Sequence, residues 1–196
     1  MKQQNKLKAL LALGLILGGV KMHSKEYKFY GLIGGDLEIM AKITMACKVI
    51  SPKTEQEAKL LLAETIAVES RNGKATDYSK EYGEGLTQFD RPTFTDVKNH
   101  FMANIFKELR QKIKNFLGVD IAKVQYTDLR KSPMTSIVFA RLLYFRVPAA
   151  IPKTKIGRWQ YYKKYFNSVL GATTQSKYYN AMEYAVFKDN NPNMVG

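Results

Sequence analysis

The sequence predicts a mainly α-helical domain. Apolar residues recur at helical spacing over most of the chain, the periodic stretches are bounded by Pro, Gly, Asn or Ser/Thr caps, and no strong β-hairpin signal interrupts them. Its 196 residues suffice for one compact domain with a core and a short appendage. With 45% hydrophobic and 12% aromatic residues, the chain is expected to fold rather than stay disordered.

The elements follow in order. In "MKQQNKLKALLALGLILGGV", lysines precede an unbroken apolar run from Ala9 to Val20. Residues 1–24 therefore read as a signal-like segment or a weak membrane anchor, since the run is shorter than the ~20 residues of a spanning helix. An ordinary buried helix is the competing reading of the same length. Residues 25–52 hold a leading helix: Gly34-Gly35 breaks, Asp36 caps, and the helix runs to about Val49 before Ser51-Pro52. Ser51 or Thr54 starts the next helix. Leu60, Leu61, Leu62, Ala63, Ile66, Ala67 and Val68 cover nearly all its sides, which predicts a central, buried element stopped by Asn72-Gly73. Residues 74–93 read as a loop with room for one short strand. Helices are expected at about 94–117, 132–145, 157–168 and 173–187, with Pro148 and Pro152 punctuating the gap before the third. One domain thus spans 53–187, and 188–196 is a frayed tail. No internal repeat, low-complexity tract or linker is present.

The net charge is +14, from 31 Lys+Arg against 17 Asp+Glu. Such a surface favours a polyanionic partner: nucleic acid, an acidic membrane or an acidic cell-wall polymer. Cys47 is the one cysteine, which excludes an intramolecular disulfide. His23 and His100 are isolated and no Cys pair exists, so neither a metal centre nor a cofactor is expected.

One carboxylate stands out. Glu69 follows Leu62 and Ile66 round the helix, in its last turn. There the negative end of the helix dipole and burial both disfavour the charged form, raising its pKa from an ordinary value near ~4.3. A carboxyl still protonated near neutral pH can donate a proton, as cleavage of a glycosidic bond requires. The bland alternative is a structural acid paired with Arg71 or a lysine. From the helix alone the two readings weigh about equally.

The loop that follows tips the balance. Glu69-Ser70, then Gly73-Lys74, then Gly83-Glu84-Gly85-Leu86-Thr87-Gln88-Phe89-Asp90 resembles the lytic transglycosylase and goose-type lysozyme superfamily, and in particular the transglycosylases carried in bacteriophage particles. "SPMTSIVFARLLY", Ser132 to Tyr144, is similar to the family helix in which Ala140 and Tyr144 pack under the active site. "KYFNSVLG" occupies the place of the last motif, with Phe166-Asn167 where Tyr-Asn is usual and Gly171 later than usual. Tyr165 or Tyr162 is then the source of the hydroxyl, and "YYNA" at 178–181 is a rival placement. The transglycosylase pattern has Met where Thr87 stands.

The resemblance implies a lysozyme-like fold and cleavage of the bond between N-acetylmuramic acid and N-acetylglucosamine in peptidoglycan. Glu69 would be the general acid and then the base. Ser70 would position Glu69, Gln88 would meet the substrate, and Gly83 and Gly85 would let the backbone approach the glycan. Leu86, Tyr144, Tyr165 and Asn167 complete the expected binding set. A lytic transglycosylase needs one carboxylate, because the muramic acid's own hydroxyl attacks. A hydrolase needs a second, for which Asp90 and then Glu84 are the candidates; Glu81 and Asp77 read as solvated loop charges. The implied setting is a phage virion or the bacterial envelope, with peptidoglycan as partner, membrane contact through residues 1–22, and other virion proteins. Nucleic acid is not expected as a specific ligand, because no recognition motif accompanies the charge. A basic virion or membrane-associated protein that kept the fold and lost activity is the reading from another class.

The late aromatics, Trp159 to Tyr184, are assigned mostly to core, with one or two Tyr at the cleft. Lys107, Arg110, Lys112 and Lys114 lie on an amphipathic helix, and Lys153, Lys155 and Arg158 form a second basic group. Both are most simply solvated faces, and the alternative for each is a surface for the peptide carboxylates of murein or for acidic lipid.

Overall fold

The computed structural model describes residues 32–74, 83–167 and 171–188. Residues 1–24, Asp77, Glu81 and the tail from 189 lie outside them. The described chain is mainly helical: α1 (Gly35–Ile50), α2 (Glu55–Ser70), α3 (Arg91–Met102), α4 (Lys107–Leu117), α5 (Asp128–Lys131), α6 (Pro133–Phe145), α7 (Lys155–Tyr162) and α8 (Gln175–Ala181). The only pairing of extended backbone among the described residues is a single antiparallel bridge, Glu84 with Phe89.

Two helices form the centre. α6 is buried from Thr135 to Tyr144, and α2 from Leu60 to Ala67. Neither has a polar face of any width, as expected of elements covered on all sides. Full burial of Leu61, Leu62 and Ile66 contributes about 1.5–3 kcal/mol each. α1 buries Ile39, Ile43, Ala46 and Cys47 in the same core and packs on α2, α4 and α6. The leading helix therefore shares one core with the helices after residue 53.

The expected helix over 94–117 is two. Ala103 is extended (φ −56°, ψ 148°), a short 3-10 turn follows at Asn104–Phe106, and α4 starts afresh. A continuous helix would place Ile105 on the face of Phe101. With the break, Ile105 points to solvent, while the Phe101 and Phe106 rings pack at a tilt with centroids 4.7 Å apart. Arg110 ends α3 by donating to the carbonyls of Phe101 and Ala103 at 2.6 and 2.7 Å. The last predicted helix is also shorter, Gln175–Ala181, started by the Thr174 side chain. A π-turn, Lys163–Asn167, continues α7. Such turns widen a helix locally and recur at functional sites.

Candidate functional site

α2 carries two acids that meet different fates. Glu64 is 3% exposed and receives both arms of Arg158, at 2.8 Å each, plus the Tyr178 hydroxyl at 2.7 Å. It is an internal ion pair tying α2 to α7 and α8. Glu69, at the end of α2, is half-buried, and among the described residues no cation pairs with it. Its partner is a phenol: the Tyr162 hydroxyl donates to its Oε1 at 2.6 Å. Burial pushes the Glu69 carboxyl from 4.5 up to about 7, and the Tyr162 hydrogen bond offsets only part of this. The Tyr162 phenol is itself held above its ordinary range, first by burial and then by the nearby Glu69 charge. Arg71 does not reach back to Glu69; its guanidinium lies 5.8 Å over the Tyr184 ring.

The support extends outward from Tyr162. Its hydroxyl lies 3.4 Å from Thr173 Oγ1, which accepts from Asn167 Nδ2 at 3.2 Å. Lys163 Nζ donates to Asn167 Oδ1 at 2.8 Å and to the Gly171 carbonyl at 2.6 Å. The π-turn makes this arrangement: α7 delivers Tyr162 inward while Lys163 and Asn167 secure the segment bearing Thr173. Of the two tyrosines considered from sequence, Tyr162 faces the acid. Tyr165 packs against Tyr161, with centroids 4.7 Å apart.

The chain after Glu69 turns sharply. Arg71 (φ 48°) and Asn72 (φ 60°) are both left-handed, which costs roughly 1–2 kcal/mol per residue. The cost is met by Asn72, whose buried amide donates to Asp36 Oδ1 at 2.9 Å and to the Tyr184 carbonyl. Ser70 belongs to this turn. Its hydroxyl donates to the Ile66 carbonyl at 3.3 Å and accepts from the Gly73 N–H at 3.0 Å. Its contacts are thus with backbone at the helix end, where the sequence reading had it hold the Glu69 carboxyl.

The Gly-Leu-Thr-Gln loop is a tight, docked hairpin turn. Leu86 is fully buried, and Thr87 bonds Ser136 Oγ of α6 through both its N–H (3.2 Å) and its hydroxyl (3.0 Å). The glycines answer to the protein itself: a Cβ on Gly83 would overlap the Gln88 carbonyl, and one on Gly85 (φ 76°) the Leu129 carbonyl. The turn itself requires both glycines. Gln88, left-handed at φ 45°, donates from Nε2 to the Gly85 carbonyl at 2.8 Å. Phe89 carries the loop toward the acid's support, packing on Phe166, which stacks on Tyr162.

Three expected site residues are architectural. Tyr144 is 2% exposed with its hydroxyl 2.7 Å from Thr65 Oγ1, so it lies beneath the site and offers no face to a ligand. Asp90 caps α3, accepting the Thr93 N–H at 2.6 Å. Glu84 receives Arg130 in bidentate fashion at 2.7 and 2.8 Å. Sequence reasoning missed Glu64 and Thr173, and it set Arg158 on a solvated basic face, whereas Arg158 is fully buried because Glu64 pairs with it. Glu64 had a legible signal, an acid five residues before Glu69 inside the same apolar run; Thr173 had none. Among the described residues no group of side chains could hold a metal ion, and no helix is long and apolar enough to cross a membrane.

Compared with known protein families, curated proteins and solved structures, the chain has no significant match.

Proposed function

We infer that this protein is a lysozyme-like, peptidoglycan-cleaving lytic transglycosylase acting in a phage particle or at the bacterial envelope. The observation that carries the reading is Glu69: an acid with a pKa near neutrality, unpaired with any cation among the described residues, and aimed by a phenol. The other acid of the same helix has the full set of partners that a structural carboxylate acquires. The ordered motifs of the sequence supply the substrate class.

The chemistry needs only that group. Protonated Glu69 gives its proton to the oxygen bridging the two sugars as the bond from carbon 1 of N-acetylmuramic acid breaks. The carbon-6 hydroxyl of that same sugar attacks carbon 1, a tethered nucleophile that replaces an activated water. Glu69, now ionised, takes the hydroxyl proton and returns to its starting state. Tyr162 stabilises the ionised form in between through a charge-assisted hydrogen bond. Hydrolysis by inversion would require a second free carboxylate to activate water. Asp90 is committed to a helix cap and Glu84 to Arg130, which favours the transglycosylase over the muramidase.

Mass spectrometry of digested, purified murein tests this. The expected products end in 1,6-anhydro-N-acetylmuramic acid, lighter by one water than hydrolysis products. Reducing ends as the main species would make the protein a muramidase, and intact murein would end the glycosidase reading.

A further inference from the structure

We propose that the cavity adjoining Glu69 receives a carboxylate of the peptide that peptidoglycan carries on N-acetylmuramic acid; this rests on the function proposed above. The cavity holds about 330 Å³ and is lined by Val68 and Arg71 from the end of α2, Thr173, and Lys177, Asn180 and Tyr184 from α8 and its continuation. Its wall shares Thr173 with the support of the acid. Val68 and Arg71 flank Glu69 along the chain, and Thr173 is the residue beside the Tyr162 hydroxyl.

The lining selects an anion. Arg71 contributes a guanidinium and Lys177 an ammonium, with the Asn180 amide and Thr173 hydroxyl as neutral donors. Lys74 stands nearby, its Nζ 5.6 Å over the same Tyr184 ring that Arg71 covers at 5.8 Å. Glu183 also lines the cavity, so two cations stand there against one carboxylate and the balance is positive. A planar carboxylate matches a guanidinium fork. The left-handed turn at Arg71, locked by Asn72, fixes the base of that fork before any ligand arrives.

Size and chemistry agree on the ligand. The volume is at the small end of ligand pockets and suits a short peptide segment, not a glycan strand. The stem peptide leaves N-acetylmuramic acid from carbon 3, two ring atoms from the carbon released in the reaction. An arm leaving that sugar must pass close to the catalytic acid, and this cavity is lined by Val68 and Arg71 on either side of it in the chain.

The test is calorimetric titration of the full chain with the free tetrapeptide L-Ala-γ-D-Glu-L-Lys-D-Ala and with the same peptide amidated at its carboxyls. Wild type and Glu69→Gln are expected to bind the free peptide. Lys177→Glu, at an exposed position on α8, and Arg71→Gln should each weaken binding by about tenfold or more, as should amidation. No binding, or binding indifferent to these changes, overturns the proposal. Murein digestion by the same samples reports separately on Glu69: peptide binding without cleavage would sink the catalytic reading and leave the cavity's assignment standing.

Discussion

Replacing Glu69 with glutamine separates a catalytic acid from a structural one, because the two make opposite predictions for stability. Glutamine copies the shape of the protonated carboxyl and cannot ionise. In the folded protein the Glu69 carboxyl titrates near 7, against 4.5 for the free group, so holding it ionised costs on the order of 3 kcal/mol relative to the unfolded chain. The sign follows from the raised pKa. Below 4.5 both states are protonated and the benefit is complete; it is lost as the pH rises through about 7. Wild type and Glu69→Gln should therefore melt together near about pH 4. Above about pH 8 the variant should be the more stable by about 3 kcal/mol, or roughly 6–12 °C in Tm. Thermal melts followed by circular dichroism across that range measure it, and all other carboxylates cancel in the difference. Murein cleavage by the same protein should fall ~10²–10⁴-fold. A variant that melts below wild type at every pH would refute the reasoning and mark Glu69 as a structural acid; one that keeps its turnover would refute the mechanism.

Tyr162→Phe removes the hydrogen bond that favours the ionised carboxylate, so the high-pH limb of the kcat/KM profile should move up by about one to two pH units, with a lower maximum; an unmoved limb would dissociate Tyr162 from the titration. Asp90→Asn should keep nearly full cleavage and nearly full stability, since asparagine caps a helix as well as aspartate. A loss as deep as that of Glu69→Gln, read by murein turbidity, would make Asp90 the second carboxylate of a hydrolase. Arg158→Met leaves Glu64 buried without its counter-charge and should lower stability by about 3–5 kcal/mol in urea titration; a small change would mean that Glu64 finds water or another partner.

Much of the helical frame was legible because local signals and tertiary packing agreed. α1 and α2 are separated by Ser51-Pro52 and stopped at Asn72-Gly73, and their apolar residues go where the periodicity places them. The break at Ala103 has no Gly or Pro to announce it. It is produced by Phe106 turning inward and by Arg110 reaching back to two carbonyls, both consequences of packing against α6 and α4's own position. Glu69 was legible as a misfit in an apolar turn, and that chemistry did not depend on knowing its neighbour. Its partner was legible only as a choice between Tyr162 and Tyr165. Helical phase decides between them, and the π-turn at Lys163–Asn167 shifts that phase without any sequence marker. Asp90 was weighed as an acid when Asp-Arg-Pro-Thr is also an N-cap signature, with Pro in the first turn. For isolated polar residues in loops, capping and catalysis ask for the same side chains, and only geometry tells them apart.

The contacts that give Glu69 its surroundings join residues far apart in the chain: Glu69 with Tyr162, Glu64 with Arg158 and Tyr178, Asn72 with the Tyr184 carbonyl. Closing loops of that length costs entropy that only the finished core repays. Synthesis delivers α2 long before any of these partners exists. On a nascent chain Glu69 has neither its phenol nor its burial, so it titrates as an ordinary surface carboxylate and is ionised at neutral pH. The raised pKa of Glu69 is therefore acquired only after translation has passed Tyr162 and that residue has docked against the end of α2. A chain truncated ahead of Tyr162 would keep Glu69 and lose the phenol that sits against it.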